Sequence, residues 1–408
     1  MSEDIHPKES QPERLMQDLM SESQTEQPVP VRSLRELIDR ISGRGMPFSA
    51  EEADAGLAEQ LPFPFLALVG QMEMKLALLI ALVNSSVGGV LLIGPRGTGK
   101  TTAVRSLVDL LPQAPRSLCY YGCMPEDVEV GGIQAVCPDC AKKYAQGESL
   151  AVLDRVRLVE LPLNARLEDV VGGIDERAII HERLRLRRGI LAQADHNLLY
   201  VDEVNLLSNE VVDAILDAAA QGSYTVRRGP VSATYRSRFV LIGSMNPEEG
   251  KLRPQIMDRF GLRVVVRGLY GEKATEQRLE VYQRVKAYLE SPRRMVNAYS
   301  DETAIAREEI QLAHEALLKV ELPEKVANQG LAIISGLHID SLRAEITLFE
   351  AARACAALDA RTVVTPDDLR TVASMALRLR RSTFMTDYFA HQENEERELS
   401  ALLTQQTQ

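Results

Sequence analysis

One stretch, LLIGPRGTGKTT (91–102), limits what this chain can fold into more than any other feature. An apolar run, a glycine-rich loop and a Lys-Thr-Thr follow one another, and the loop fits the pattern G-x-x-x-x-G-K-[ST] without a mismatch. Glycine reaches backbone angles closed to other residues, so successive amide groups converge on phosphates, helped by the dipole of the following helix. The stretch therefore predicts a strand, a loop and a helix around a nucleoside triphosphate.

The residues of this loop have separate tasks that follow from their chemistry. The Lys100 ammonium is expected to reach the β- and γ-phosphates, and the Thr101 hydroxyl to ligate Mg²⁺. ATP and Mg²⁺ are therefore the expected cofactors. A chance glycine turn is the alternative, but the apolar run before the loop and the helical pattern after it count against that. The predicted nucleotide-binding residues are Gly94, Pro95, Arg96, Gly97, Thr98, Gly99, Lys100, Thr101 and Thr102, together with Asp202.

Two further motifs supply groups that hydrolysis of a triphosphate needs. In LLYVDEV, Asp202 ends an apolar run, where its carboxylate can hold the metal through water, and Glu203 can accept a proton from the attacking water. In LIGSMNP, Asn246 ends the next predicted strand, where its amide can orient that water. By themselves, an Asp-Glu pair can be a polar exit from a sheet and Asn-Pro a turn. Beside a phosphate loop, they predict a hydrolytic site.

Two arginines are candidates for stabilising the charge that develops on the transferred phosphoryl group. Arg259 lies in RPQIMDRFG and Arg343 in SLRAE. A guanidinium suits this task and often comes from a neighbouring subunit. Each arginine can equally belong to a surface ion pair, and the residues alone do not decide between the two roles.

The pattern of apolar residues predicts an α/β fold. Buried strands are indicated over 88–94, 196–204 and 238–246, and helical patterns separate them. Apolar strands that alternate with helices are typical of a parallel sheet with helices on both faces. Between the last two strands, residues 224–236 alternate around a Gly-Pro break, which predicts a hairpin.

Helical patterns replace the strands after about residue 300. Over residues 342–358, helical spacing places Leu342, Ile346, Phe349, Ala352 and Ala356 on one apolar face. The expected architecture is a P-loop NTPase core, with a parallel sheet flanked by helices, followed by a C-terminal helical-bundle domain.

Length and charge limit the number of domains and the kinds of partner that we expect. A chain of 408 residues exceeds what a single hydrophobic core usually fills. A net charge of −11 gives no general attraction to phosphate backbones, so nucleic acid is not an expected partner. The acidic N-terminus is unlike a signal peptide and no apolar run reaches the ~20 residues of a membrane span, so we expect a cytoplasmic protein.

The predicted divisions are a largely disordered extension (1–60) with a short helix (31–42), a nucleotide-binding domain (61–295) with a cysteine insertion (119–140), a helical domain (296–385) and a polar tail (386–408).

Four of the five cysteines lie close together in the sequence. Cys119 and Cys123 are separated from Cys137 and Cys140 by thirteen residues, and each pair has the short spacing of chelating cysteines. Four thiolates suit tetrahedral Zn²⁺, which makes structural zinc the favoured prediction. Ordinary thiols or redox cysteines are the alternative, and an iron–sulfur cluster fits the spacing less well.

The order of these motifs resembles that of AAA+ ATPases, and the intervening sequence resembles the ATPase subunit I of magnesium chelatase. The resemblance covers roughly residues 62–381, and its most specific part is GSMNPEEGKLRPQIMDRFGL. It implies a ring of subunits, commonly a hexamer, with ATP at the interfaces. It also implies that Arg259 is a finger reaching the neighbouring site and that Arg343 is a second sensor on the C-terminal helical domain.

The resemblance further implies partners and a product. In that family, subunit I works with a second AAA+ subunit carrying an integrin-like domain and with a large porphyrin-binding subunit, which inserts Mg²⁺ into protoporphyrin IX. Subunit I contributes ATP hydrolysis. The alternative is an AAA+ chaperone of the MoxR type, which shares the ring and motifs but serves metal insertion or maturation of another protein. A nucleotide-dependent scaffold or nucleic-acid translocase fits less well, because Glu203 and Arg259 are present and the chain is acidic.

Overall fold

The computed structural model describes residues 61–381, except for 112, 120, 175–185 and 230. The predicted N-terminal extension (1–60), the short helix within it and the polar tail (386–408) lie outside the described residues. No helix in the described part of the chain is long and apolar enough to cross a membrane.

The described strands form one parallel sheet and three small antiparallel ribbons. They are β1 (Val90–Ile93), β2 (Gln113–Ser117), β3 (Ala151–Arg155), β4 (Leu158–Leu161), β5 (Gly172–Ile174), β6 (Leu186–Arg188), β7 (Leu198–Val201), β8 (Ser223–Arg228), β9 (Val231–Arg236), β10 (Val240–Met245) and β11 (Leu262–Val265). The sheet has the order β11-β1-β10-β7-β4, and every pairing within it is parallel. The three predicted strands, now β1, β7 and β10, are confirmed at its centre, whereas the sequence pattern does not predict the edge strands β4 and β11.

Helices cover both faces of the sheet, which confirms the predicted α/β class. They are α1 (Met72–Val83), α2 (Lys100–Ser106), α3 (Pro125–Gly131), α4 (Pro138–Ala145), α5 (Leu167–Val171), α6 (Ile190–Gln193), α7 (Asn209–Gln221), α8 (Pro254–Arg259), α9 (Ala274–Glu290), α10 (Pro292–Ala298), α11 (Ser300–Ala316), α12 (Glu324–Gly336), α13 (Leu342–Leu358) and α14 (Pro366–Leu377). Side chains alternate along each strand. Leu92 accordingly packs in the core cluster that contains α1, α13 and α14, and Leu91 in the cluster that contains α7.

The helix predicted over 342–358 is confirmed as α13, but its predicted apolar face is only partly correct: the two alanines of that face are buried, whereas two of its large side chains are not. Leu342 and Ile346 are 71% and 57% exposed. The buried side is formed by Leu348 and by a series of alanines, including Ala344 and Ala351. Alanine lets α13 lie close to its neighbours at the high density of a protein interior, so small residues mark the packed face.

The antiparallel ribbons lie outside the parallel sheet. β8 and β9 pair from Ser223↔Arg236 to Arg228↔Val231, which confirms the predicted hairpin at 224–236. β2 and β3 flank the cysteine insertion, whose helices are α3 and α4. The hairpin contacts this insertion, because Arg236 of β9 forms ion pairs with Glu126, at 3.7 Å, and with Asp127.

Candidate active site

The glycine-rich loop connects β1 to α2 at the carboxyl ends of the parallel strands, where open sheets of this kind bind ligands. Gly97 and Gly99 have φ angles of 76° and 82°, which residues other than glycine rarely adopt. Gly94 is needed for space instead, because a Cβ there would lie 2.1 Å from the carbonyl oxygen of Val266. The conformation of the loop therefore requires each of these three glycines.

Lys100 begins α2, and its ammonium group folds back beneath the loop. The Nζ atom donates to the carbonyl oxygens of Gly94 at 2.7 Å and Pro95 at 2.8 Å, and the residue is buried. Burial lowers the pKa of this ammonium, while the nearby Asp202 carboxylate acts in the opposite direction. The loop thus holds a cation where the motif requires one for the phosphates.

Asp202 directly follows β7 and meets Thr101 across the cleft. The Thr101 hydroxyl donates to Asp202 Oδ2 at 3.2 Å. Asp202 Oδ1 accepts from the Tyr200 hydroxyl at 2.9 Å and from the Ser244 hydroxyl. Burial raises the pKa of Tyr200, so its phenol stays protonated and acts as a donor. A hydroxyl and an oriented carboxylate therefore stand together, and oxygen atoms are the ligands that Mg²⁺ prefers.

The sequence analysis does not identify Tyr200 or Ser244 as site residues. A signal for both exists in the strand periodicity, since side chains two positions apart point to the same face of a sheet. Tyr200 precedes Asp202 by two positions, and Ser244 precedes Asn246 by two. A polar residue at that spacing inside an otherwise apolar strand is the feature that could have revealed them.

Glu203 has a left-handed backbone conformation, with φ 50° and ψ 52°. Its backbone N–H donates to Ser244 Oγ at 3.2 Å, and its Oε1 lies 3.4 Å from Arg96 Nη2. Side-chain-bearing residues in this region of conformational space concentrate at functional sites. Glu203 is thus fixed on the wall of the cleft by its backbone and lies against the phosphate loop.

Asn246 is buried directly after β10, and both ends of its amide are occupied. Its Nδ2 donates to Glu249 Oε1 at 2.9 Å, and its Oδ1 accepts from the backbone N–H of Glu248 at 3.2 Å. The same Glu249 oxygen lies 2.5 Å from Arg96 Nε. The hydrogen bond from Asn246, together with Arg96, holds the pKa of Glu249 below its usual range. Glu249, which the sequence analysis does not single out, is therefore an ionised link between two predicted site residues.

Most of the predicted nucleotide-binding and hydrolytic residues surround a polar cleft of about 280 Å³, although Gly94 and Pro95 do not line it. Its lining consists of Arg96, Gly97, Thr98, Gly99, Lys100, Thr101, Thr102, Asp202, Glu203, Ser244, Met245 and Asn246. A neighbouring apolar hollow of about 480 Å³ shares Gly97 to Gly99 and Thr102 with it and adds side chains such as Phe63, Leu68 and Val281. A polar cleft beside an apolar hollow matches the phosphates and the base of a nucleotide. Sequence reasoning misses the second hollow, because its walls come from segments far apart in the chain.

The two predicted arginines do not line this cleft. Arg259 Nη1 lies 2.6 Å from Asp217 Oδ1 and 4.0 Å from Asp213 Oδ1, both on α7. Arg343 is exposed, and its Nη1 lies 3.8 Å from Asp258 Oδ2. Both arginines therefore form ion pairs within their own chain, away from the phosphate loop.

The four clustered cysteines converge in space. One sulfur atom from each of Cys119, Cys123, Cys137 and Cys140 lies within 4.8 Å of all the others, and Cys123 and Cys140 are buried. Two backbone N–H groups donate to the sulfurs, from Cys123 to Cys119 at 3.2 Å and from Cys137 to Cys123 at 3.3 Å. All five cysteines are free thiols. The donor set is that of a four-thiolate metal site, in which Zn–S bonds of ~2.3 Å place the sulfurs about 3.8 Å apart.

The fold and the phosphate loop define the class of protein. The model of the AAA domain family matches residues 83–246, and that of the AAA lid domain family matches residues 332–402. The chain is therefore an AAA ATPase, and its cofactors are ATP and Mg²⁺.

Relatives then define the family. The magnesium-chelatase subunit ChlI homolog of Methanocaldococcus jannaschii is 41% identical over 80% of this chain and 87% of its own length. The magnesium-chelatase 38 kDa subunit of Acidiphilium rubrum is 41% identical over 84% of this chain and 98% of its own length. This chain belongs to the family of magnesium-chelatase I subunits.

Among solved structures, a model of the complex between the BchI and BchD subunits of magnesium chelatase contains a similar chain. The two chains share 40% sequence identity over 79% of this chain and 98% of the other, with a TM-score of 0.44.

A first prediction concerns the hydrogen bond that orients Asp202. The substitution Tyr200→Phe removes the phenolic donor and keeps the ring. We expect the Mg²⁺ concentration for half-maximal ATPase activity to rise about fivefold, since one hydrogen bond contributes ~1 kcal/mol. Tyr282→Phe is the matched control, because Tyr282 is 65% exposed on α9. An unchanged Mg²⁺ requirement in the first variant would show that the phenol does not position the carboxylate.

Proposed function

We propose that this chain hydrolyses ATP with the residues of the polar cleft. Lys100 and the loop amides hold the phosphates, while Thr101 and Asp202 hold Mg²⁺, which neutralises phosphate charge when bound. As the oxygen atom of the attacking water bonds to the γ-phosphorus, Glu203 takes a proton from that water. The bond from that phosphorus to the bridging oxygen breaks, and ADP leaves. The observation that carries the proposal is the 3.2 Å contact between Thr101 and Asp202, because it joins the loop to the strand end that bears Glu203.

Asn246 has a supporting role in this proposal. An uncharged amide between the base and the γ-phosphate can orient the attacking water without competing for its proton. Asn246 directly follows β10, the strand between β1 and β7, and so stands between the loop and Glu203. Its amide is held by the turn at 248–249.

We further propose that the active site is completed by a second copy of the chain in a ring, of the hexameric kind that the resemblance implies. Transfer of a phosphoryl group gains from a guanidinium that stabilises the developing charge. Arg259 lies on the end of α8 against Asp217 rather than at its own cleft, which supports a role at a neighbour's site. Arg343 lies in the first turn of the packed helix α13 and is exposed, so it too is placed for a contact between subunits.

The process that ATP hydrolysis drives is inferred from the family to which the chain belongs. We propose that ATP hydrolysis in this ring drives insertion of Mg²⁺, here a substrate, into protoporphyrin IX. The partners are an AAA+ subunit with an integrin-like domain and a large porphyrin-binding subunit. Relatives at about 41% identity are named as subunits of magnesium chelatase, which supports this client over the maturation of another protein by a MoxR-type chaperone. A cytoplasmic location stays a prediction from the composition of the N-terminus.

The second prediction tests the proposed base. Glu203→Gln removes the proton acceptor and keeps the size of the side chain. We expect the ATPase rate to fall at least about 100-fold, because a positioned base contributes 10²–10⁴-fold, while the Kd for MgATP changes less than about threefold. Glu210→Gln on α7 is the control, because its side chain is exposed. Normal hydrolysis by the first variant would exclude Glu203 as the base.

We also propose that the four clustered cysteines hold one structural Zn²⁺. The sulfurs converge within 4.8 Å, and the backbone N–H groups of Cys123 and Cys137 support thiolate charge. The hydrophobic cluster around the cysteines is small, and its buried members besides Cys123 and Cys140 are Val128 and Leu150. A metal suits such a small cluster, because its binding energy contributes directly to folding.

The third prediction is therefore a metal content. Elemental analysis of protein purified without chelators is expected to find about one zinc per chain. Cys140→Ser should lose the metal, and Cys355→Ser, a buried cysteine of α13 outside the cluster, should retain it. Metal-free wild-type protein whose thermal stability does not change on adding Zn²⁺ would refute the proposal.

A further inference from the structure

The guanidinium of Arg96, in the phosphate loop, joins two carboxylates that come from different strand ends. Its Nη2 lies 3.4 Å from Glu203 Oε1, and its Nε lies 2.5 Å from Glu249 Oε1. The Arg96 side chain is 72% exposed, whereas the two glutamate side chains are 21% and 19% exposed. The carboxylates are therefore fixed by the protein, and the guanidinium is the member of the group that is free to move.

Glu249 also holds the side-chain amide of Asn246. The oxygen that contacts Arg96 accepts from Asn246 Nδ2 at 2.9 Å. The other carboxylate oxygen, Oε2, is buried and has no hydrogen-bond partner among the described residues. Glu249 thus contacts two groups that a γ-phosphate would also attract, Arg96 and Asn246, and it lies beside the Glu203 carboxylate.

The two glutamates and a bound triphosphate would compete for the guanidinium of Arg96. A triphosphate in the cleft brings several negative charges beside the loop that carries Arg96, and guanidinium groups bind phosphate in preference to a single carboxylate oxygen when two N–H groups can engage. Movement of Arg96 to the phosphate would also end its ion pair with Glu203. The Glu203 carboxylate would then be free of the guanidinium and available to the attacking water.

We propose that Glu249 is a positioning residue that holds Arg96 and Asn246 in the nucleotide-free cleft and gives up Arg96 to the γ-phosphate when MgATP binds. Binding of ATP and release of Glu203 from its ion pair with Arg96 are then one event. This inference rests on the proposed ATPase function and adds the residue that couples binding to activation.

The fourth prediction is a coupling between Glu249 and Arg96, measured by calorimetric binding of the magnesium complex of AMP-PNP, a non-hydrolysable ATP analogue. Glu249→Gln removes the charge and keeps an acceptor for Asn246. We expect it to tighten binding about threefold, the range that partly exposed ion pairs allow. Arg96→Ala should weaken binding about tenfold, because a charged hydrogen bond to phosphate is lost. In the double variant, Glu249→Gln should have no further effect, because Arg96, the group for which Glu249 and the phosphate compete, is gone.

Glu248→Gln is the matched control, since it removes the same charge one position earlier from an exposed side chain. Equal tightening by this control would overturn the proposal, because bulk charge would then explain the effect. Unchanged or weaker binding in Glu249→Gln, or equal tightening with and without Arg96, would overturn it as well. A loss of folding cannot imitate the expected result, because it would weaken binding. If the wild-type chain fails to bind the analogue, the ATPase proposal itself fails; normal binding without the coupling refutes the role of Glu249 alone.

Discussion

The contact between Thr101 and Asp202 is the interaction on which the rest of this structure depends. It joins the phosphate loop after β1 to the end of β7, although β10 lies between those strands. The two side chains meet because three parallel strands end at one level, and the Tyr200 and Ser244 hydroxyls then fix the carboxylate from below. The same alignment brings Glu203 and Asn246 to the cleft. Sheet register is therefore the physical origin of the site.

Much of the fold could be predicted from the sequence, because its central strands are continuous apolar runs. The edge strands could not. β4 contains Glu160, which pairs with Arg105 of α2 at 2.7 Å, and β11 contains Arg263, which is completely buried beside Asp258. Charged residues inside short strands hide the apolar pattern. Leu342 on α13 illustrates the opposite error, because it fits the helical period of the buried face and is nevertheless exposed, while alanines form the contact.

The residues of the site divide in the same way: those in short sequence motifs could be predicted, and those brought together from distant segments could not. The glycine-rich loop, the Asp202–Glu203 pair and the cysteine spacing are local patterns that could be recognised in the sequence, and the structure brings the members of each together. Glu249 could not be recognised, because its importance comes from a turn that returns it to Asn246 and from a distant arginine in the loop. The apolar hollow beside the loop depends on α1 and α9, whose side chains meet only in the folded chain.

In the proposed ring, one chain supplies the base and its neighbour supplies the arginine. Glu203→Gln and Arg259→Ala proteins should each be inactive alone, and the decisive measurement is the ATPase rate of their equimolar mixture. Random mixing leaves an intact base opposite an intact arginine at about one quarter of the interfaces of a closed ring, so about a quarter of the wild-type rate is expected. A mixture as inactive as its two components would contradict the claim.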